Sequence, residues 1–335
     1  TVIRPEDYAE VPEKRVLPAT SHQYPWLTAD DFFQPALIKL DYTIDRDCFF
    51  DGNLSLGSRE TDDSDFLLPL KPLFFKYFNV SDLWGTISGR PKFEMVHTQT
   101  GATESVKAIL RIPVKKDGKF ITLERNYLAA HHVDLKYDAK NDRGYFITVP
   151  FAISIFPFVH TDLLKQYNVQ LVDRALGLLN NYRLRLKFFH NGYLNKVDDR
   201  QVVDRVRSQK SMKQVESRYY RLGSDFDYMT VVLQNEKEET AAEGVLCPYW
   251  HEYVPGHEAY TFSVDFGTTN THVECMVGEN MPEPLKISSV SRDRLLATLY
   301  NGENLLYDVI MKQEFLPKNI GDDYGFPQRT VLSEC

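Results

Sequence analysis

After Pro35 the chain falls into short runs with alternating or β-branched character: Ala36 to Tyr42, Lys92 to His97, Val106 to Val114, Phe120 to Glu124 and Gly144 to Ile155. Their side-chain period fits half-buried strands. Turn chemistry sits where strands would have to reverse: Asp117-Gly118, Asn141-Asp142-Arg143-Gly144, and Asn191-Gly192 after Tyr182 to His190. Such dipeptides tolerate the positive backbone angles of tight hairpins. The pattern predicts an antiparallel, strand-rich domain, continued by strands at Phe226 to Leu233 and Gly244 to Trp250.

Helical patterns are fewer. Pro72 to Phe78 starts at a proline suited to a first helical turn, and Thr161 to Tyr167 and Asp199 to Ser217 read as helices that pack on the sheet. The first 35 residues carry Pro5, Pro12, Pro18, Pro25 and Pro35, which predicts an extended arm over 1–35. A boundary is expected near Pro255-Gly256. It separates a strand-rich domain at 36–255 from a segment at 256–335 with a strand-turn-strand at Tyr260 to Val277, a strand at Leu285 to Ser289, and helices around Arg292 to Tyr300 and Asn304 to Gln313. The expected class is therefore α+β.

With 335 residues, 43% of them apolar, the chain can bury a sizeable core. Its formal charge of −8 argues against nonspecific attraction to nucleic acid or anionic membrane. Cys48, Cys247, Cys275 and Cys335 have no paired spacing, so neither a disulfide framework nor a zinc ribbon is indicated, and a reducing cytoplasm fits. No apolar run approaches the ~20 residues that span a bilayer. Thr1 reads as a trimmed end, and the run from Arg329 to Cys335 reads as a strand that stops abruptly.

The segment that most invites chemistry is Thr261-Phe-Ser-Val-Asp265-Phe-Gly267-Thr-Thr-Asn270-Thr-His272. An apolar strand places Asp265 at its end, and Gly267 lets the backbone turn without obstruction. Consecutive amides flanked by Thr268, Thr269 and Asn270 can form a concave anion site, while Asp265 could hold magnesium through its water shell. Alternatively, Thr and Asn in this turn simply satisfy local backbone groups. No Gly-x-x-x-x-Gly-Lys-Ser/Thr sequence occurs.

Val264-Asp-Phe-Gly-Thr-Thr-Asn-Thr271 resembles the first phosphate motif of the superfamily of actin, sugar kinases and heat-shock chaperone ATPases, the chaperone branch above all. Phe326-Pro327-Gln328-Arg329-Thr330-Val331 is similar to a Phe-Pro-Ser-Val strand downstream in those proteins, with two residues in place of the single Ser. The resemblance covers about residues 260 to 335. It implies an incomplete actin-like, ribonuclease H-like subdomain. Within it Asp265 would contact the magnesium hydration shell, and Gly267, Thr268, Thr269 and Asn270 would hold the phosphates of ATP. A second phosphate motif, an adenosine loop and a catalytic lysine or glutamate have no counterpart in the chain. Phosphoryl transfer needs charge stabilisation from several sides, so one wall of the site is expected to bind weakly and not to catalyse.

Other constellations have plainer explanations. Cys247-Pro-Tyr-Trp-His251 with His257, and His131-His132 with Asp134, invite a metal or acid-base reading but read more simply as a core thiol with rim histidines and as a surface pair. Residues 200 to 221 carry Arg200, Arg205, Arg207, Lys210, Lys213, Arg218 and Arg221 beside Tyr219 and Tyr220, a basic surface diluted by Asp199, Asp204 and Glu216. The acidic run Glu60 to Asp65 reads as a cap before an apolar segment, and Phe151, Phe156, Phe158, Phe188 and Phe189 read as core.

Three functions stand as expectations. The first is the N-terminal fragment of a chaperone-like or actin-like ATPase whose domain at 36–255 holds a protein partner. The second is a noncatalytic binding or scaffold module. The third is a polyanion-binding protein using residues 200 to 221.

Overall fold

The computed structural model describes residues 28–57, 64–100, 103–113, 120–129, 143–173, 182–195, 197, 202–208, 214–267, 270–285, 296–300 and 328–329. Within them the protein is built almost entirely of strands. A six-stranded sheet combines Ala36–Lys39, Arg143–Thr148, Phe120–Ala129, Thr103–Pro113, Phe93–Thr100 and Ser55–Leu56 in that spatial order. A four-stranded sheet runs Tyr193–Asn195, Arg183–His190, Tyr228–Gln234, Thr240–Leu246. A five-stranded antiparallel sheet runs Val202–Ser208, Gln214–Leu222, Tyr167–Asp173, Phe151–Phe156, Ala297–Leu299.

The α+β expectation is overturned. Helical structure among the described residues is confined to Ala29–Phe32, Val80–Trp84 and a single 3-10 turn at Phe74–Lys76. Asp199 to Ser217, expected as a helix, supplies parts of two antiparallel strands. The sequence there is rich in Val202, Val203, Val206 and Val215, whose branching disfavours helix and suits a pleated surface. Thr161 to Tyr167 is a turn leading into a strand, and Arg292 to Tyr300 contributes the strand Ala297–Leu299. The chain after Gly256 therefore does not form the expected actin-like, ribonuclease H-like subdomain with its helices. Its described residues are strands and turns, and Ala297–Leu299 lies within the five-stranded sheet of the body. Asn304 to Gln313, residues 1–27, and the Asp117-Gly118 and Asn141-Asp142 turns lie outside the described residues.

Two hydrophobic cores share one wall. Along Ala36–Lys39 and its continuation, Ala36, Ile38 and Leu40 enter one core while Leu37 enters the other. The same division recurs at Leu67 against Phe66 and Leu68, at Phe188 against Phe189, and at Leu246 against Val245. Alternating residues point to opposite faces of a strand, so a wall with a core on each side must be apolar at every position. Tyr228–Gln234 nearly meets that demand: its first six residues are buried, and Thr230 is the one non-aromatic polar side chain among them. The segment 65–70 stitches the six- and four-stranded sheets together. The Leu67 N–H donates to the Ile38 carbonyl at 3.0 Å, and Leu68 and Val245 exchange backbone hydrogen bonds at 3.0 and 2.8 Å.

A close approach fixes how these sheets meet. A Cβ at Gly244 would lie 2.6 Å from Leu67 Cβ, so only glycine lets the two backbones pack at that crossing. Arg125, 1% exposed, ties the third strand of the six-stranded sheet to the chain that precedes Ala36. Its guanidinium donates to the Phe33 carbonyl at 2.8 Å and to that of Gln34 at 3.4 Å, and pairs with Asp30.

Candidate functional site

The expected strand-turn-strand is present. Tyr260–Phe266 and Asn270–Val277 pair antiparallel from Tyr260↔Val277 to Phe266↔Thr271, with Asp265 opposite His272. Glu283–Pro284 and Gln328–Arg329 extend the sheet on the far side, which leaves Tyr260–Phe266 as its edge strand among the described residues. Gly267 is exposed at the turn, and Thr268 and Thr269 lie outside the described residues. Asn270 opens the return strand. The structure thus brings Asp265, Gly267 and Asn270 to one end of a hairpin. Asp265 is exposed, and no group of three His, Cys, Asp or Glu able to hold a metal occurs among the described residues. A lone solvated carboxylate can hold magnesium only through water, as the motif demands, and contributes little affinity by itself.

The two faces of this hairpin differ sharply. Tyr260, Phe262, Val264 and Phe266 project to one side, together with Thr271, Val273, Cys275 and Val277 across the register. Thr261, Ser263, Asp265, His272 and Glu274 project to the other, with Met276. This is the alternation of a strand with one buried face, yet all seven residues of Tyr260–Phe266 are exposed. The four apolar side chains on it retain 49 to 65% of their surface. Tyr260 and Phe262 stack on each other, centroids 6.2 Å apart and 13° between planes.

A second concave feature lies on the body and escaped sequence reasoning. The 3-10 turn at Phe74–Lys76, the short helix Val80–Trp84, the turn at Asn191-Gly192 and the ends of strands at Asp227-Tyr228 and Pro248 to Trp250 enclose a groove of about 340 Å³. Gly192, at φ +75°, closes the hairpin it was expected to close, and a Cβ there would lie 2.6 Å from the Phe75 carbonyl oxygen. That approach brings the turn against the 3-10 segment. Tyr228 stacks on Phe75 at 3.8 Å and on Phe189 at 4.7 Å. Its hydroxyl is buried with no hydrogen-bond partner among the described residues, and burial holds the phenol well above its usual range. Trp250 is fixed by donating its indole N–H to the Phe226 carbonyl at 2.6 Å.

The remaining sequence-predicted groups separate. Cys247 is completely buried in a core, with its thiol pushed up by desolvation, while His257 is exposed. His131, His132 and Asp134 lie outside the described residues. Within the basic stretch Glu216 is buried and serves as a counter-ion: Arg185 lies 3.1 Å from it, and Arg218 and Arg183 lie 3.8 and 3.9 Å away. Arg218 is thereby engaged within the sheet. No helix among the described residues is long and apolar enough to cross a membrane.

No family model, curated protein or solved structure matches the chain.

Proposed function

We propose that this chain is a noncatalytic protein-binding module whose hairpin sheet, Tyr260 to Pro284, receives an apolar layer from a protein partner. The supporting observation is the alternation itself, seven apolar or thiol side chains on one face and mostly polar ones on the other, with the apolar edge strand exposed along its whole length. Contiguous apolar surface rimmed by polar residues marks interaction sites. An edge strand with alternating side chains can also accept a further strand, main-chain bonds giving affinity and side-chain pockets specificity. The body at 36–255 then acts as the scaffold that presents the sheet. Position-specific photo-crosslinking in cells tests this. A photoreactive residue at 264 is expected to trap a discrete protein adduct, and one at 263, on the opposite face, is not. Equal trapping at both positions, or none at 264, refutes the assignment.

The turn supports a second reading: an ATP- and magnesium-binding hairpin of the kind the motif resembles. The register ends at Phe266↔Thr271, which sets exposed Asp265 at the end of the pairing, close to Gly267 and Asn270. Magnesium-ATP is then expected to raise the melting temperature of the full-length protein, and Asp265→Ala or Thr268→Ala to abolish that rise. A rise that survives both substitutions excludes the turn as its source.

A further inference from the structure

The groove over the 3-10 turn combines aromatic walls with a single charge. Trp84, Tyr228 and Trp250 line it together with Phe75 and Phe78, and Asp227 is the one charged side chain in that lining. Its volume, about 340 Å³, suits a small ligand or one large side chain. The rings are held in place before anything binds. Tyr228 is clamped between Phe75 and Phe189, Trp250 is hydrogen-bonded and packed on Phe158 at 4.9 Å, and Trp84 meets Tyr249 edge-on at 4.9 Å while remaining 42% exposed. Asp227 is fixed as well: it accepts the Asn191 N–H at 2.5 Å, and His190 lies 3.6 Å from its other oxygen.

Aromatic faces are negative at their centres and attract cations, and a carboxylate on the same wall adds to that attraction. A metal ion is a poor match, because hard divalent cations take six or more oxygen ligands and one carboxylate among rings supplies too few. A weakly hydrated organic cation loses little on leaving water and gains both the rings and the charge. A neutral apolar ligand would use the rings and leave Asp227 unanswered. An anion would be repelled.

We propose that this groove binds an organic cation, a quaternary ammonium or a guanidinium group, through Asp227 and the Trp84 and Trp250 rings, with the stacked Tyr228 ring as part of its floor. The site is separate from the hairpin sheet and does not depend on the role proposed for it.

The test is titration of the full chain, followed by calorimetry and by the fluorescence of Trp84 and Trp250 in a Trp26→Phe background. Choline represents a free quaternary ammonium, N-acetyl-arginine amide a side chain presented by a partner protein, and 3,3-dimethylbutan-1-ol is the neutral counterpart of choline. At least one cation is expected to bind saturably, and the neutral alcohol roughly tenfold more weakly than choline where choline binds. Asp227→Asn keeps an acceptor for the Asn191 N–H and removes the charge, so it is expected to weaken cation binding by roughly fivefold or more without changing the circular dichroism spectrum. Trp84→Leu, at an exposed position, is expected to do the same. Binding of the arginine derivative alone would identify a protein side chain as the source, and binding of choline alone a free small cation. Three results overturn the proposal: no saturable binding of either cation, equal affinity for choline and its neutral counterpart, or undiminished cation binding by Asp227→Asn.

Discussion

Tyr228–Gln234 and Tyr260–Phe266 are seven-residue strands of similar apolar content that meet opposite fates. The first is buried at six of its seven positions, and the second at none. The difference lies in what faces them. Tyr228–Gln234 belongs to a wall with a core on each side, so both its faces are buried and, Thr230 apart, largely apolar; Tyr260–Phe266 alternates, and its apolar face has no covering layer among the described residues. Alternation in a sequence therefore specifies that a face is made to be covered, without saying that the same chain covers it. The body should respond to substitution as a packed core does, and the hairpin sheet as a surface does.

A large loss is expected at Arg125. It is buried, and its guanidinium satisfies the Phe33 and Gln34 carbonyls and pairs with Asp30. Arg125→Met keeps much of the apolar stem but strands the Phe33 carbonyl and leaves Asp30 without its guanidinium, while the Gln34 carbonyl keeps the Tyr127 hydroxyl at 2.7 Å, so a loss of about 3 kcal/mol is expected in chemical denaturation. A loss under about 1 kcal/mol would mean that the Phe33 carbonyl finds another donor. Gly244→Ala comes next. The added methyl must displace Leu67, whose Cβ would lie 2.6 Å away, and the expected cost is about 1–3 kcal/mol. Combining it with Leu67→Ala removes the further approaches, to Leu67 Cδ1 at 2.9 Å and Cγ at 3.3 Å, and keeps the Cβ, so a part of that cost should be recovered. Strict additivity of the two losses would place the strain in the Cβ–Cβ approach alone.

Tyr228→Phe should move stability the other way. The hydroxyl is buried without a hydrogen-bond partner among the described residues, while the ring is stacked on both sides. Removing the oxygen and keeping the ring is expected to raise stability by about 1 kcal/mol, read as a shift of the denaturation midpoint at constant slope. A loss instead would show that the hydroxyl has a partner, ordered water included.

The body's strands are legible because branched and aromatic residues alternate between turn dipeptides, as at Arg183–His190 and Asn191-Gly192. The hairpin is legible because Gly267 interrupts two such runs. The stretch Asp199 to Ser217 misleads: its charges recur at helix-like intervals, but Val202, Val203, Val206 and Val215 favour strand, and pairing with Tyr167–Asp173 settles the outcome through a contact no local window contains. Glu216 shows the same gap, since nothing local marks it as a buried counter-ion for Arg185. The groove leaves no sequence signal, because its walls come from five separated segments whose aromatic residues look individually like core. Of the anion-site residues the structure locates Asp265, Gly267 and Asn270 at one end of the hairpin, while Thr268 and Thr269 lie outside the described residues.

The smallest expected effect on stability decides whether the comparison holds. Phe262 sits in the middle of the hairpin's apolar face, 54% exposed, whereas Phe188 is fully buried in the body. Phe188→Ala should cost about 3–5 kcal/mol, and Phe262→Ser, which leaves Tyr260 and Val264 in place, should stay within about 0.5 kcal/mol of the parent protein. The same Phe262→Ser substitution should eliminate the adduct formed from position 264, because the central aromatic on an exposed face is where a partner would concentrate its binding energy. A small stability change with a lost adduct separates binding from folding. A loss of about 2 kcal/mol or more, on the order of a core truncation, would show that the face is already covered within the chain, and the two strands would then differ in location but not in kind.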